Sequence, residues 1–381
     1  MHKKIYDVIV VGAGPAGLYA AQLLAKKGLE ALVLEAKDEV GKNVICTGII
    51  GKDSFEKFGF SNEQVIRSIQ NVRIDSPFDT SLFYKHPSPF AFVVERQRFD
   101  KYLLESALKQ GVEIALQCRV VDARVDENGV KIECINGGGG AVKYNGKTMV
   151  LATGVDYELN KKLGLGYPVS FVKAAQSYLR FNKNNDVTLI IGNKFAKGGF
   201  GWIVPVGDGM ARVGLISKSN LKTGFENIIE RYFSEELNVP MQIKPIAQGI
   251  VSKTFRDRVL VIGEAAGQVK TTTGGGIYFG LLCAEIAVDV IEDAFKDDDF
   301  SEKRFSTYQT KWKIKIGNEI RLGAVSRNIC GRLKDKQIEK IFNIVQTDGF
   351  FDYIAKHADF DKHGSFLLNF VKKLSRFINV F

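Results

Sequence analysis

Gly263-Glu264-Ala265-Ala266-Gly267-Gln268-Val269-Lys270, continuing through Thr271-Thr272-Thr273 to Gly274-Gly275-Gly276-Ile277-Tyr278, punctuates the second half of the chain. Residues 259–262 before it are a short apolar run fit for a buried strand, and residues 277–293 after it are helical in composition. Glycines at a helix N-terminus let a flat group approach the backbone, where unpaired N–H groups face it. A counterpart stands near the start of the chain. Gly12-Ala13-Gly14-Pro15-Ala16-Gly17 follows the β-branched run 5–11 and leads into the Ala- and Leu-rich segment 16–27. A strand, a tight turn and a helix start aim N–H groups and the helix dipole at a pyrophosphate. Leu32-Val33-Leu34-Glu35 reads as the next strand, ending in a carboxylate with Ala36 beside it. An acid about 20 residues past the glycines accepts hydrogen bonds from ribose hydroxyls.

The first fingerprint alone does not separate NAD from FAD. Two backbone cradles at opposite ends of one fold grip a single extended cofactor from both sides, and this points to FAD. The second cradle suits the N1–C2=O edge of a reduced, anionic isoalloxazine.

Further pieces are Cys46-Thr47-Gly48-Ile49, Arg96-Gln97-Arg98-Phe99-Asp100 and Phe200-Gly201-Trp202-Ile203-Val204-Pro205. Together with the two cradles they span about residues 5–290, and over this range the chain resembles the geranylgeranyl reductase group of flavoproteins, within the larger set related to p-hydroxybenzoate hydroxylase. The Gln268-Val269-Lys270 linker before the triple glycine carries the resemblance most specifically. It implies FAD contacts at Gly12, Gly14, Pro15, Ala16, Gly17, Glu35, Ala36, Cys46, Thr47, Ile49, Arg96, Val120, Gly154, Glu264, Gly275, Gly276 and Ile277. Of these, Arg96 would reach the phosphate side, Val120 would hold the adenine through its backbone, and Cys46, Thr47 and Ile49 would lie beside the flavin ring. It also implies Cys46 as the catalytic candidate, donor or gate, and Phe200, Trp202 and Pro205 as substrate residues. The sequence departs from the family pattern in places. Glu264 stands for the usual Asp and Thr271 for the usual Pro. Lys197, Phe200 and Val204 replace three of the five fixed positions of the aromatic signature.

The expected fold class is α/β: an FAD-binding Rossmann-like domain, an inserted antiparallel β-sheet substrate domain and a C-terminal helical region. Residues 1–70, 95–155 and 245–295 are assigned to the first, 71–94 and 156–244 to the second, and 296–381 to the third. Within the first, residues 122–147 read as a hairpin region broken at 136–140, and 150–154 as a returning strand ending at Gly154. The strand-like runs 187–191 and 212–216 belong to the sheet that would roof the flavin.

With 45% hydrophobic residues in 381, the chain can bury one large core or two coupled ones. No run of 18 apolar residues is present, so no membrane span is expected. The first strand starts almost at once, which leaves no room for a signal peptide. Five scattered cysteines and four histidines show no metal-ligand spacing and no disulfide pattern, so a metal site is not expected and a reducing cytoplasm fits.

The net charge is +10, and residues 301–381 hold 16 Lys/Arg against 8 Asp/Glu. In residues 366–381, Phe366, Phe370, Leu374, Phe377 and Phe381 share one helical face, while Lys372, Lys373 and Arg376 share the other. A basic amphipathic helix of this kind lies in the headgroup layer of an anionic membrane, and a helix docked on its own domain has the same periodicity. The expected location is cytoplasmic, peripheral on the inner face of the membrane. Aromatics and cations fall on opposite faces, which argues against nucleic acid.

The expected activity is FAD-dependent reduction of isolated double bonds in a prenyl lipid chain. The alternatives are a flavin-dependent monooxygenase or halogenase, and a membrane-surface electron-transfer flavoprotein with a redox partner protein. A second glycine fingerprint for a resident nicotinamide nucleotide is lacking, so NAD(P)H or ferredoxin would serve as a transient electron donor.

Overall fold

The computed structural model describes residues 4–78, 80–183, 185–233, 239–347 and 359–363. The chain divides into two compact units, each assembled from three separated segments. The first comprises Met1–Val44, Arg96–Ser170 and Ala247–Ile320; the second comprises Ile45–Glu95, Phe171–Ile246 and Arg321–Phe381.

The first unit is built on a parallel sheet. Strand Ile5–Val11 lies between Ala31–Leu34 and the C-terminal half of Ala141–Leu151. Beyond these, Glu113–Ala115 and Val259–Val261 extend the parallel set on either side. The central strands are apolar throughout, as expected where both faces are covered. Register aligns their ends: Leu34, Val11, Leu151 and Val261 stand in one row. The ladder continues one residue further, with Gly12 N–H donating to Leu34 O at 2.8 Å, Ala152 N–H to Val11 O at 2.8 Å and Ile262 N–H to Leu151 O at 2.9 Å. Each strand therefore releases its loop at the same carboxyl edge, the position where open α/β sheets take ligands. The first half of Ala141–Leu151 pairs antiparallel with Gly129–Asn136, which pairs with Cys118–Asp126. The expected hairpin region is thus a three-stranded ribbon turning at residues 127–128 and 137–140.

Helices Pro15–Lys26 and Ile277–Asp297 pack side by side on the sheet. Small residues permit the approach. A Cβ on Gly280 or on Gly263 would stand 3.2 Å from the Ala16 methyl. The helix Glu302–Trp312 closes the far edge: Tyr308 donates to Val261 O at 2.8 Å, and Trp312 Nε1–H donates to Thr254 Oγ1 at 3.0 Å.

The second unit contains, among its described residues, a seven-stranded sheet in the order Gln242–Ala247, Phe171–Arg180, Met210–Ser217, Phe200–Gly207, Val187–Ile190, Asn71–Asp75, Ser81–Lys85. Four of its pairings are antiparallel, whereas Val187–Ile190 runs parallel to Asn71–Asp75, so the sheet is mixed rather than purely antiparallel. Helix Leu221–Tyr232 covers one face through Phe225, Ile228, Ile229 and Tyr232. A second sheet of three strands joins Ile49–Gly51, Ala91–Val94 and Val65–Ile69.

Three boundaries differ from the sequence expectation. Residues 45–70 leave the nucleotide-binding unit because Ile49–Gly51 and Val65–Ile69 pair with Ala91–Val94. Residues 156–170 stay with it, since Asn160 Nδ2–H donates to Ala265 O at 3.3 Å and Gly166 N–H to Lys253 O at 2.7 Å. The C-terminal region is not one body: residues 296–320 belong to the first unit and the described residues from 321 on to the second. Residues 366–381, the candidate membrane helix, lie outside the described residues. No described helix is long and apolar enough to cross a membrane.

Candidate functional site

The first cradle sits where the central strand of the first unit ends. Gly12 has φ +107°, and a Cβ there would lie 2.5 Å from Ala152 O; a Cβ on Gly17 would lie 2.1 Å from Gly12 O. Both are glycines because backbone fills the space a side chain would take. Gly14 differs. It caps helix Pro15–Lys26 with no side-chain hydrogen bond, and a Cβ on it would meet nothing within 4 Å. The helix start, with Pro15 at its first turn, therefore faces open space. Glu35 is fixed beside it: one carboxylate oxygen accepts from Ala13 N–H at 2.8 Å and the other from Lys37 N–H at 2.9 Å. Ala36, next to it, is exposed. Gly154, after the neighbouring strand, is open in the same way: a Cβ on it would also meet nothing within 4 Å.

The second cradle is built at the same edge. Gly263 N–H donates to Gln268 Oε1 at 2.7 Å, Gln268 Nε2–H donates to Tyr308 Oη at 2.7 Å, and the Tyr308 hydroxyl donates in turn to Val261 O. Gln268 and Tyr308 are fully buried, and burial pushes the Tyr308 phenol up, so the hydroxyl keeps its proton. Burial first, and the Glu264 carboxylate second, push the Tyr157 phenol up as well. The triple-glycine turn is closed by Lys270 N–H to Gly275 O at 2.9 Å and Gly274 N–H to Lys270 O at 2.8 Å. Thr271 has a tertiary use: its hydroxyl, buried, donates to Ile320 O at 2.8 Å. Gly276 caps helix Ile277–Asp297 without a side-chain bond, and a Cβ on it would make only ordinary contact, 3.6 Å from Val269 Cγ2.

The first unit brings together Gly12, Gly14, Pro15, Ala16, Gly17, Glu35, Ala36, Gly154, Glu264, Gly275, Gly276 and Ile277. Val120 belongs to the strand whose first residue, Cys118, donates its N–H to Glu35 O at 2.8 Å. Arg96 is buried and forms a two-oxygen ion pair with Asp100 at 3.0 and 3.1 Å. That pair commits much of its guanidinium within the protein.

Cys46, Thr47, Ile49, Phe200, Trp202 and Pro205 belong to the second unit. The Cys46 turn is pinned from the seven-stranded sheet. Gln176 Nε2–H donates to Cys46 O at 3.3 Å, and Arg212 Nη1–H donates to Thr47 O at 2.6 Å and to Val94 O at 2.9 Å. Arg212, 1% exposed, also donates from Nε to Tyr178 Oη at 2.7 Å. Gly48 lies at φ +73°, and a Cβ would stand 2.3 Å from Arg212 Nη1, so no other residue fits the turn. Its N–H donates to Cys46 Sγ at 3.4 Å. Phe200 and Trp202 share a face, their rings 5.9 Å apart. Strand alternation puts Pro205 on the opposite face, away from them.

Arg212 and Gln176 were not among the expected site residues. The available signal was a charged and an amide side chain inside otherwise apolar strand runs, 210–217 and 171–180. Their partners lie far away in sequence.

Residues 6–192 match the family model described as pyridine nucleotide-disulphide oxidoreductase. A digeranylgeranylglycerophospholipid reductase of Methanosarcina acetivorans is 30% identical over 359 residues, covering 89% of this chain and 88% of the relative. The chain belongs to the geranylgeranyl reductase family. A geranylgeranyl bacteriochlorophyll reductase-like protein of Thermoplasma acidophilum has the same fold, with a TM-score of 0.86 at 21% identity over 98% of this chain and 100% of that one. A p-nitrophenol 4-monooxygenase of Pseudomonas putida aligns with a TM-score of 0.75 at 17% identity, over 97% and 98% of the two chains. At these identities the likeness speaks for the fold alone.

Like its family, this geranylgeranyl reductase homologue is an FAD-dependent oxidoreductase, and its residues fit the cofactor. The uncapped helix start at Gly14 leaves room for a pyrophosphate, Glu35 is held beside it by the Ala13 N–H, and the second helix start, at Gly276, likewise has no side-chain cap. Among the described residues no group of His, Cys, Asp or Glu could hold a metal ion.

Proposed function

We propose that this flavoprotein saturates isolated double bonds in the prenyl chains of a geranylgeranyl-type lipid. The similarity to the digeranylgeranylglycerophospholipid reductase of Methanosarcina acetivorans, at 30% identity along almost the whole of both chains, carries this reading. FAD, when bound and reduced, supplies the hydride. The chain's own residues must then exclude water, orient the alkene and deliver a proton to the second carbon. Cys46 is the assigned proton donor: its turn is fixed by Gln176 and Arg212, and the Gly48 N–H is directed at its Sγ. Phe200 and Trp202 present an aromatic face suited to a hydrocarbon chain. Residues 366–381 would contact an anionic membrane that holds the substrate.

The test is mass spectrometry of a prenyl phospholipid incubated with the purified, chemically reduced protein, which makes the physiological electron donor irrelevant. The expected product gains one molecule of hydrogen per reduced bond without oxygen uptake. Substrate loss that requires oxygen, with a mass gain of oxygen or halogen, would overturn the reading in favour of a monooxygenase or halogenase.

A further inference from the structure

Gln176, Gly214 and Trp202 form a row across three adjacent strands: Gln176 is paired with Gly214, and Gly214 with Trp202. Directly opposed residues project from the same face. Because Gly214 has no side chain, the Trp202 ring occupies its place, with Cζ2 at 2.6 Å and Cε2 at 2.8 Å from where a Cβ would be. The indole nitrogen is bonded to Cε2. Nε1 is therefore one bond from an atom packed against Gly214, on the face that Gln176 shares.

Both side chains are buried, Gln176 at 3% and Trp202 at 6% exposure. Each ends in an atom that has no partner among the described residues: the Trp202 N–H, a donor, and Gln176 Oε1, an acceptor. The other end of the Gln176 amide is committed, since Nε2–H donates to Cys46 O. Turning the amide over to satisfy Oε1 elsewhere would forfeit that bond. A buried donor and a buried acceptor left empty each carry the full desolvation penalty of the group. A hydrocarbon prenyl chain offers neither a lone pair nor a polar hydrogen. One water molecule offers both: its oxygen accepts from the indole and one hydrogen goes to Oε1, with a hydrogen and a lone pair to spare.

We propose that Trp202 and Gln176 hold an ordered water beside the Cys46 turn, and that Gln176 is a positioning residue linking this water to Cys46. The role of the water rests on the reading of Cys46 as proton donor. When the Cys46 S–H bond breaks and a C–H bond forms on the prenyl chain, the bonding pair stays on sulfur. A proton from bulk solvent then passes through the water to the thiolate, the water taking one proton as it gives another so that no hydroxide is left. The site resupplies the one proton consumed per reduced bond, which the hydrocarbon substrate itself cannot provide.

The experiment uses the FAD-loaded full chain, deuterated and carrying ¹⁵N-tryptophan. The sequence contains 2 tryptophans, so the second indole, bonded to Thr254, is an internal reference. The Trp202 indole N–H should show a cross-relaxation peak to water that the Trp312 indole lacks. Gln176→Leu should abolish that peak while leaving the Trp312 signal unmoved, which reports an intact fold. Gln176→Glu, which retains an acceptor, should restore it. On a short, detergent-soluble prenyl substrate, Gln176→Leu should lower kcat by at least about tenfold with KM held, the signature of slowed proton supply rather than lost binding. A wild-type Trp202 N–H without a water peak, or a peak that survives in Gln176→Leu, overturns the site. Full activity of Cys46→Ala would instead remove the donor reading while leaving the spectroscopic result standing, so the two failures are distinguishable.

Discussion

Three glycines of the first cradle look alike in sequence and have different physical reasons. Gly12 and Gly17 are hemmed in by backbone, with a Cβ at 2.5 and 2.1 Å from a carbonyl oxygen, whereas Gly14 borders open space. Gly14→Val should therefore fold with nearly unchanged thermal stability in the flavin-free state and lose most of its FAD, read as bound flavin per chain. Gly17→Ala should lower stability itself by about 1–3 kcal/mol, because the neighbouring turn must move. Equal flavin content in Gly14→Val and wild type would sink the assignment of this cradle to the pyrophosphate. Cys46 is a residue-scale question of another kind. Cys46→Ser should keep FAD, because its turn is held by Gln176 and Arg212 through backbone carbonyls and a serine hydroxyl can still accept from the Gly48 N–H, and should slow prenyl reduction on the order of 10²–10⁴-fold if the thiol gives the proton. A rate within twofold of wild type demotes Cys46 to packing.

At the scale of elements, helix Glu302–Trp312 carries no expected site residue and yet shapes the second cradle. Its Tyr308 hydroxyl bridges the strand end at Val261 to Gln268, which in turn holds Gly263. Tyr308→Phe removes one hydroxyl and leaves a buried amide N–H and a buried carbonyl without that partner. The expected loss is about 1–3 kcal/mol of unfolding free energy in denaturant titration, with weaker FAD retention as a consequence. A variant that binds FAD as tightly as wild type would show that the loop holds its shape without this helix. The Cys46 turn depends on its sheet in the same manner. Arg212→Met should leave Thr47 O, Val94 O and the Tyr178 hydroxyl short of a donor, and is expected to destabilise the second unit more than a surface arginine substitution would.

For the whole molecule, the prediction concerns where it works. If residues 366–381 form the basic amphipathic helix their pattern describes, reversing Lys372, Lys373 and Arg376 should weaken binding to anionic vesicles, since each contributes roughly 1 kcal/mol near such a surface. Flavin content and turnover of a detergent-soluble substrate should survive. Vesicle binding unchanged by the reversal would remove the membrane role. The chain's organisation shows where sequence reading reaches its limit. The glycine turns, the strand runs before them, Glu35 and the helix 277–293 were legible because each is a local pattern: backbone conformation, strand burial and helix capping are settled among near neighbours in the chain. The row of strand ends that brings Gly12, Glu35, Ala152 and Ile262 to one edge follows from the parallel register. The assignment of residues 45–70 to the second unit was not legible, since it depends on pairing with Ala91–Val94 across an intervening stretch. Nor were Arg212 and Gln176, whose hold on the Cys46 turn runs through partners more than a hundred residues away, at Thr47, Val94 and Cys46. Sequence by itself determined the cofactor and the family, because a phosphate cradle is made of consecutive residues. Only the tertiary structure decided what holds the Cys46 turn, because a buried guanidinium or amide acquires a role from whichever carbonyls the folded chain brings to it.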